Sequence, residues 1–387
     1  MQAVVLAAGE GQRLRPFTAN KPKVMIKVAN KPILEYVIES LRDVGIMDIV
    51  IVVGYKRSRI MDYFGNGSRW NVKIKYAVQH QQLGTAHALK QAEQYVNDEE
   101  FLVLAGDNIV DSRTIKKVNR PWTLAYKEAE EPSKYGVVIT SNGRVERIIE
   151  KPEEPVSNLV NTGIYCFTSD IFKMIGDQTD LVSVINSMIE EGYDFSCVKA
   201  EVWVDIVYPW DIIKVNDFAM RFSGKRVAGK IEQANIIGDV SIDRNTVVRG
   251  NTYIRGPVII GENCEIGPNT VIMPSTSIGD NVKIGAFSYI ENSVIGDNVI
   301  ISPGSFIKDS VIDRGCIIKP NFTALSDSAE IKIGDEYHRV KTGVFIGEGC
   351  NIGANVVAEA GTVIGNNVRI SSLKTVRGII PDNSVIV

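Results

Sequence analysis

The stretch LAAGEGQRLRPFTANKPK at residues 6–23 sets Gly9 and Gly11 ahead of Arg13, Arg15, Lys21 and Lys23, directly behind an apolar run. A chain lacking side chains at Gly9 and Gly11 can turn tightly and bring its N–H groups close to an anion. Arg13 and Lys23 supply the cationic groups that a triphosphate requires. Glycine spacing followed by one arginine is a weak signal by itself. It gains force from its place after the first strand of an α/β pattern and from the PK and KPILE sequences behind it.

The elements that must hold these residues are readable as far as about residue 220. QAVVLAA, DIVIVVG, KIKYAV and FLVLAGD are short strand-like runs, and PILEYVIESLRDVGI and TAHALKQAEQYV are helix-like. Their alternation predicts a Rossmann-like α/β domain, a mostly parallel sheet covered by helices. The helix behind Pro32 has proline at its first turn and Ile33, Tyr36, Val37, Ile38 and Leu41 on a broad apolar face.

Beyond SGKRVAGKIEQANIIGDV the period becomes six. Ile236, Ile242, Val248, Ile254, Ile260, Ile266, Ile272, Ile278, Ile284 and Ile290 are evenly spaced, with Gly261, Gly267, Gly279 and Gly285 directly behind four of them. This period belongs to a parallel β-helix, in which each hexapeptide makes one face of a triangular coil. The register slips by one to Ile295, Ile301 and Ile307, continues at Ile312 and Ile318, breaks over 319–345, and resumes from Ile346 to Val376. The break predicts a projecting loop, functional or a solvated hairpin. The boundary is expected at 224/225, giving the α/β domain at 1–224 and a β-helix domain at 225–387.

LAAGEGQRLRPFTANKPKVMIKVANKPILE resembles the signature of the sugar-1-phosphate nucleotidylyltransferases. The six-residue half is similar to the left-handed β-helix of their two-domain archaeal and bacterial members, among them the bifunctional N-acetylglucosamine-1-phosphate uridylyltransferases and glucose-1-phosphate thymidylyltransferases. The resemblance covers essentially the whole chain. It implies a reaction in which a nucleoside triphosphate and a sugar 1-phosphate give a nucleotide sugar and pyrophosphate, with Mg²⁺. The sugar phosphate oxygen attacks the α-phosphorus in line, so the protein must neutralise charge and hold two anions together. By resemblance, Leu6, Ala8, Gly9, Gly11 and Arg13 bind the nucleotide, Arg13 stabilises the leaving pyrophosphate, and Lys23 sits between the attacking phosphate and the α-phosphate.

The resemblance places the metal on Asp107, which ends FLVLAGD at a strand's carboxyl end, and on Asp205 in VWVDIVYPWD. Val207 stands where the family commonly has glycine. YAVQHQQLGTAHAL matches the base-recognition segment, with Gln79 facing the base and Gly84 and Thr85 opening the next helix. A glutamine amide offers one acceptor and one donor, which suits uracil or thymine and favours UTP or dTTP over GTP; the other reading of Gln79 is a polar residue at a strand end. The sugar pocket falls on Gly136, Glu150, Lys151, Asn161 and Thr162. These residues leave the sugar open, with glucose 1-phosphate and N-acetylglucosamine 1-phosphate the expected partners and mannose-1-phosphate guanylyl transfer an alternative.

In bifunctional relatives the β-helix transfers an acetyl group with a histidine base. Here Pro303 stands at the histidine position, Phe306 at a tyrosine and Leu325 at an asparagine, although Lys341 is kept and His338 lies in the interruption. The expectation is a coil that assembles the protein, as a trimer or a higher homo-oligomer, with a second acetyltransferase activity as the alternative.

Composition sets outer limits. A net charge of −3 with 23% charged residues gives no basic excess for nucleic acid. No apolar stretch approaches the roughly 20 residues of a membrane span, and MQAVVLAAGEG lacks a basic leader region. Five cysteines without a CxxC pair suggest neither disulfides nor zinc, and a cytoplasmic location is expected.

Overall fold

The computed structural model describes residues 1–154, 156–222 and 224–387. By packing, the chain divides into two compact units. The first is Met1–Glu10, Lys21–Met25 and Pro32–Asp205; the second is Gly11–Asn20, Ile26–Lys31 and Ile206–Val387.

The first unit is built on a nine-stranded sheet of β1 (Gln2–Ala7), β2 (Asp48–Val53), β3 (Lys73–Val78), β4 (Glu100–Ala105), β5 (Thr123–Glu128), β6 (Gly136–Ser141), β7 (Arg144–Glu150), β8 (Leu159–Thr168) and β9 (Ser196–Lys199). Their order is β3-β2-β1-β4-β8-β5-β9-β7-β6. The first four are parallel, as alternation of strand and helix requires. From β8 onward the sheet is mixed: β8 runs antiparallel to β4 and β5, and β6 and β7 form a hairpin. The hairpin turns at Asn142 and Gly143, both with positive φ, the Asn-Gly turn whose twist matches the flanking strands. Apolar residues bury both sheet faces, including Val5, Ile51 and Leu104 on one and Val4, Val52 and Val103 on the other. The helix Ile33–Asp43 starts directly after Pro32 and buries Ile33, Leu34, Tyr36, Val37, Ile38 and Leu41.

The second unit is dominated by the left-handed β-helix. Its three faces are parallel sheets of nine, eight and eight short strands. One interior column runs Ile236, Ile254, Ile272, Ile290, Ile307, Ala324, Ala358 and Val376, each aligned with the next. The column advances by a full coil because three hexapeptides complete one turn. The corners need left-handed backbone, which asparagine tolerates better than most residues. Asn245, Asn251, Asn263, Asn269, Asn281 and Asn298 take such φ values there. The sequence interruption contains an antiparallel hairpin, Asp327–Ile333 with Glu336–Thr342, so the projection is ordered by its own ladder.

All five cysteines are free. Cys166, Cys264, Cys316 and Cys350 are buried, whereas Cys197 is only half-buried. Among the described residues no helix is long and apolar enough to cross a membrane.

Candidate active site

At the carboxyl end of β1 the backbone of Ala8 is held from two sides. Tyr55 N–H donates to its carbonyl at 3.2 Å and the Gln82 amide at 2.9 Å. Leu6 accepts from Gly106 N–H at 2.9 Å. Gly9 lies just beyond in the first unit, and a Cβ there would meet no heavy atom within 4 Å. Gly11 and Arg13 belong to the second unit. Gly11 has a left-handed φ of 76°, and its carbonyl accepts from Leu14 N–H and from the Thr18 hydroxyl at 2.8 Å. Arg13 is exposed.

Within the first unit Lys23, Asp107 and Asp205 converge. The Lys23 Nζ lies 2.6 Å from Asp107 Oδ2 and 2.9 Å from Asp205 Oδ1. Pairing brings the two carboxylates together: Trp203–Asp205 runs antiparallel to Asn108–Val110, with Asp205 opposite Asn108 and hence beside Asp107. The Lys23 side chain is 14% exposed. Burial pulls its pKa down, but the charges of Asp107 and Asp205 and their hydrogen bonds outweigh this and raise it above the ordinary lysine value. The ammonium is therefore permanently charged at neutral pH. Two carboxylates that share one cation at hydrogen-bond distance also suit a hard divalent ion, which takes one or two carboxylates and fills its remaining positions with phosphate and water. The cation they share in this structure is Lys23. Among the described residues no group of three or more histidine, cysteine or acidic side chains could hold a metal.

The expected base segment is tightly built. Gln79 is buried, and its Nε2 donates to Gly84 carbonyl at 3.0 Å and faces His87 Nδ1 at 3.0 Å. The Nε2 group is thereby engaged from two sides within the chain. Gly84 has φ 136°, and a Cβ there would lie 2.3 Å from the Thr179 carbonyl. That carbonyl also accepts from Ala86 and His87 N–H. Thr85 opens the helix Thr85–Lys90, donating to Asp180 at 3.2 Å and accepting from Leu181 N–H at 2.9 Å. His87, Gln82, Thr179 and Asp180 thus support this region without carrying a sequence signal beyond proximity to Gln79; only His87, within helical reach of the glutamine, could have been suspected.

Of the expected sugar residues, Gly136, Glu150 and Asn161 come together. Gly136 is paired with Glu150, and a Cβ at Gly136 would meet Glu150 Oε2 at 2.9 Å and Asn161 Cβ at 3.7 Å. The Asn161 amide donates to Tyr165 Oη at 2.6 Å. Lys151 lies 3.5 Å from Glu150. The Thr162 hydroxyl points elsewhere, donating to Ala125 carbonyl at 2.7 Å while fully buried. Its carbonyl accepts from Asn108 at 3.2 Å and Trp203 Nε1 at 3.0 Å. Thr162 therefore couples the strand carrying Asn161 to the one ending at Asp205.

On the coil, Phe306 stacks on Tyr289 with centroids 5.0 Å apart, and Leu325 is exposed. Pro303 lines a shallow groove of about 680 Å³ with Lys283 and Arg249. Lys341 is in the hairpin, opposite Ser328. His338 packs against Tyr208, centroids 4.4 Å apart, far along the chain from Pro303.

The nucleotidyl transferase family model matches residues 2–221, a model of the GMPPB C-terminal domain matches 254–338, and one of the hexapeptide repeat of succinyl-transferase matches 343–372. The UTP–glucose-1-phosphate uridylyltransferase AglF of Haloferax volcanii is 40% identical over 228 residues, covering 54% of this chain and 93% of the relative. The bifunctional protein GlmU of Methanocaldococcus jannaschii is 36% identical over 256 residues, covering 64% and 61%. The chain thus spans about six-tenths of the length of the GlmU relatives it matches. A crystal structure from Bacillus anthracis, described as a glucose-1-phosphate thymidylyltransferase with sucrose, superposes with TM-score 0.53 at 25% identity, covering 57% of this chain and 95% of that one.

Proposed function

Because the chain belongs to the nucleotidyl transferase family, we propose that it joins UTP or dTTP to a hexose 1-phosphate, releasing pyrophosphate and a UDP- or dTDP-sugar. Glucose 1-phosphate and N-acetylglucosamine 1-phosphate are the proposed acceptors, the first in keeping with the names of AglF and of a glucose-1-phosphate thymidylyltransferase of Streptomyces griseus. The observation that carries the reading is the convergence of Lys23, Asp107 and Asp205 beside the end of a parallel strand.

The sugar phosphate is its own nucleophile, so the chain has no covalent step to perform. Lys23, held charged by its two carboxylates, neutralises the attacking phosphate and the α-phosphate as they approach. Arg13 grips the triphosphate and the departing pyrophosphate. Leu6, Ala8, Gly9 and Gly11 present backbone to the nucleotide. Gln79 offers its carbonyl oxygen to the N3–H of uracil or thymine, and the Gly84–Thr85 turn fixes that glutamine. Gly136, Glu150, Lys151 and Asn161 bound the sugar, with Glu150 and Asn161 meeting hydroxyls, while Thr162 ties the strand that carries Asn161 to Asn108 and Trp203. Asp107 and Asp205 would hold Mg²⁺, which when bound supplies charge neutralisation on the phosphates. Residues 1–224 make the catalytic domain and 225–387 the β-helix, through which the protein assembles as a trimer in the cytoplasm. Pro303 and Phe306 cannot accept a proton, which supports a coil without acetyl transfer.

A pyrophosphate-release panel tests this by crossing UTP, dTTP, GTP, CTP and ATP with glucose, N-acetylglucosamine, galactosamine and mannose 1-phosphates. Turnover with UTP or dTTP is expected. A clear preference for GTP with mannose 1-phosphate would replace the reading with guanylyl transfer, and release of CoA from acetyl-CoA with glucosamine 1-phosphate would add the second activity.

A further inference from the structure

The coil stacks polar side chains along one corner in a repeated way. Asp280 Oδ1 accepts from Glu262 N–H at 2.8 Å, Asp297 Oδ1 from Asp280 N–H at 3.0 Å, and Asp382 Oδ1 from Asn366 N–H at 2.6 Å. Asn366 performs the same task, its Oδ1 accepting from Glu348 N–H at 2.8 Å. As an amide it also carries donors, which the aspartates lack. Its Nδ2 donates to Asp382 Oδ1 at 3.2 Å and, in a buried bond of 3.1 Å, to the backbone carbonyl of Pro16. Next to Pro16, Phe17 is 3% exposed and meets the fully buried Phe345 edge-on, centroids 6.5 Å apart. Pro16 and Phe17 follow Arg13 by three and four residues.

We propose that Asn366, a residue of the coil, is a positioning residue for Arg13: its amide and the Phe17–Phe345 contact fix the segment that carries the arginine onto the β-helix. This rests on the reading of Arg13 as a triphosphate ligand. Arg13 is exposed on a short turn, Gln12–Leu14. A long cation on an exposed turn must lose its freedom when it grips an anion, and anchoring the backbone beforehand lowers that cost. A side chain buried in the coil yet donating out of it onto residue 16 is what such anchoring requires. The coil then contributes to nucleotide capture as well as to assembly.

Asn366→Asp separates this role from coil stability. It keeps the oxygen that accepts from Glu348, and neighbouring aspartates on successive rungs already occur at Asp280 and Asp297, but it removes the donors to Pro16 and to Asp382 Oδ1. The expected result in the full chain is a nucleotide KM raised about tenfold, the usual effect of losing one buried hydrogen bond. The KM for sugar 1-phosphate should hold, and circular dichroism at the assay temperature should show the variant folded. Tryptic cleavage after Arg13 should accelerate. In an Arg13→Ala background the further loss from Asn366→Asp should vanish. An equal loss in both backgrounds, an unchanged nucleotide KM, or unaltered cleavage would overturn the role while leaving an active wild-type enzyme. A wild-type chain inactive across the substrate panel would overturn the function as well, so the two failures are distinguishable.

Discussion

The α/β unit and the β-helix satisfy their polar groups in opposite ways. In the α/β unit, side chains at positions 23, 107 and 205 meet at one point. In the coil a polar atom finds its partner on the next rung: Asn245 bonds Asn263 at 3.1 Å, and the Thr246 hydroxyl donates to Gly261 carbonyl at 2.6 Å. Long-range convergence concentrates charge where chemistry can use it and leaves no substitute when one member is lost. Periodic stacking spreads stability over many equivalent contacts and concentrates nothing.

That contrast can be broken most directly at Lys23 and Asp107. Lys23→Ala and Asp107→Asn should each lower turnover by about two orders of magnitude or more, given the weight of charge stabilisation in phosphoryl chemistry. Thermal unfolding of the coil should be unaffected. Chelation should abolish turnover, and added Mg²⁺ should restore it in the wild type. Because the Lys23 pKa is raised in the fold, its ion-pair contribution to stability is fully present below the ordinary lysine value of 10.5 and is lost only as pH rises through the higher folded value. A loss of stability between pH 6 and 9 in wild type but not in Lys23→Ala would contradict this.

The coil should show the reverse behaviour. Ile272 is fully buried between Ile254 and Ile290. Ile272→Ala should cost about 2–5 kcal/mol of stability by denaturant unfolding, the range for emptying a buried aliphatic site. Turnover of the folded protein should stay near wild type. If instead turnover fell in step with Lys23→Ala, the two regions would not be separable in function.

Between these extremes lies Gly84, with φ 136°, where a Cβ would lie 2.3 Å from the Thr179 carbonyl oxygen and leave no room for a methyl group. Gly84→Ala should displace the turn that holds Gln79. A nucleotide KM raised about tenfold is expected, with discrimination between pyrimidine and purine triphosphates weakened, since a lost hydrogen-bond complement is what rejects the wrong base.

How much of this was legible in sequence follows from the same contrast. The coil was readable residue by residue because its period is local: six residues fix which side chain points inward, and the column from Ile236 to Val376 follows. The one-residue slip after Ile290 was also visible, and the structure absorbs it at a corner where Asn292 takes a positive φ. In the α/β unit, β1 to β4 and the helix behind Pro32 were legible from apolar runs. The mixed half of the sheet was less so, because antiparallel pairing at β8 depends on partners such as Leu104 and Tyr126 that lie far away in sequence. Gly136, Glu150 and Asn161 came from resemblance, and their strands do bring them together. Thr162 differs, since alternation along β8 turns its hydroxyl toward Ala125. The packing of 11–20 and 26–31 with the coil had no periodic signal, being made by single groups such as Asn216, which accepts from Ala29 N–H at 2.8 Å and from Ser277 at 2.7 Å.

The smallest expected effect concerns the thiols, which sample both regions without taking part in either chemistry. Burial raises the pKa of Cys264 to about 11, and Cys264 donates to Gly279 carbonyl at 3.1 Å inside the coil. Cys316 and Cys350 donate to Gly347 and Gly365 carbonyls at 3.1 and 3.0 Å on successive rungs. Cys166 lies in the α/β core, its pKa likewise raised by burial, and burial also raises that of Cys197, which is only half-buried on β9 and so the most accessible of the five. Alkylation proceeds through the thiolate and requires access. At pH 8 the native protein should therefore incorporate a single equivalent of maleimide, at Cys197, and all five only in denaturant, with turnover unchanged by the first. Fast labelling of Cys316 or Cys350 in the native state would mean that the rungs flanking the hairpin open, and periodic stacking would then protect less evenly than the ladder implies.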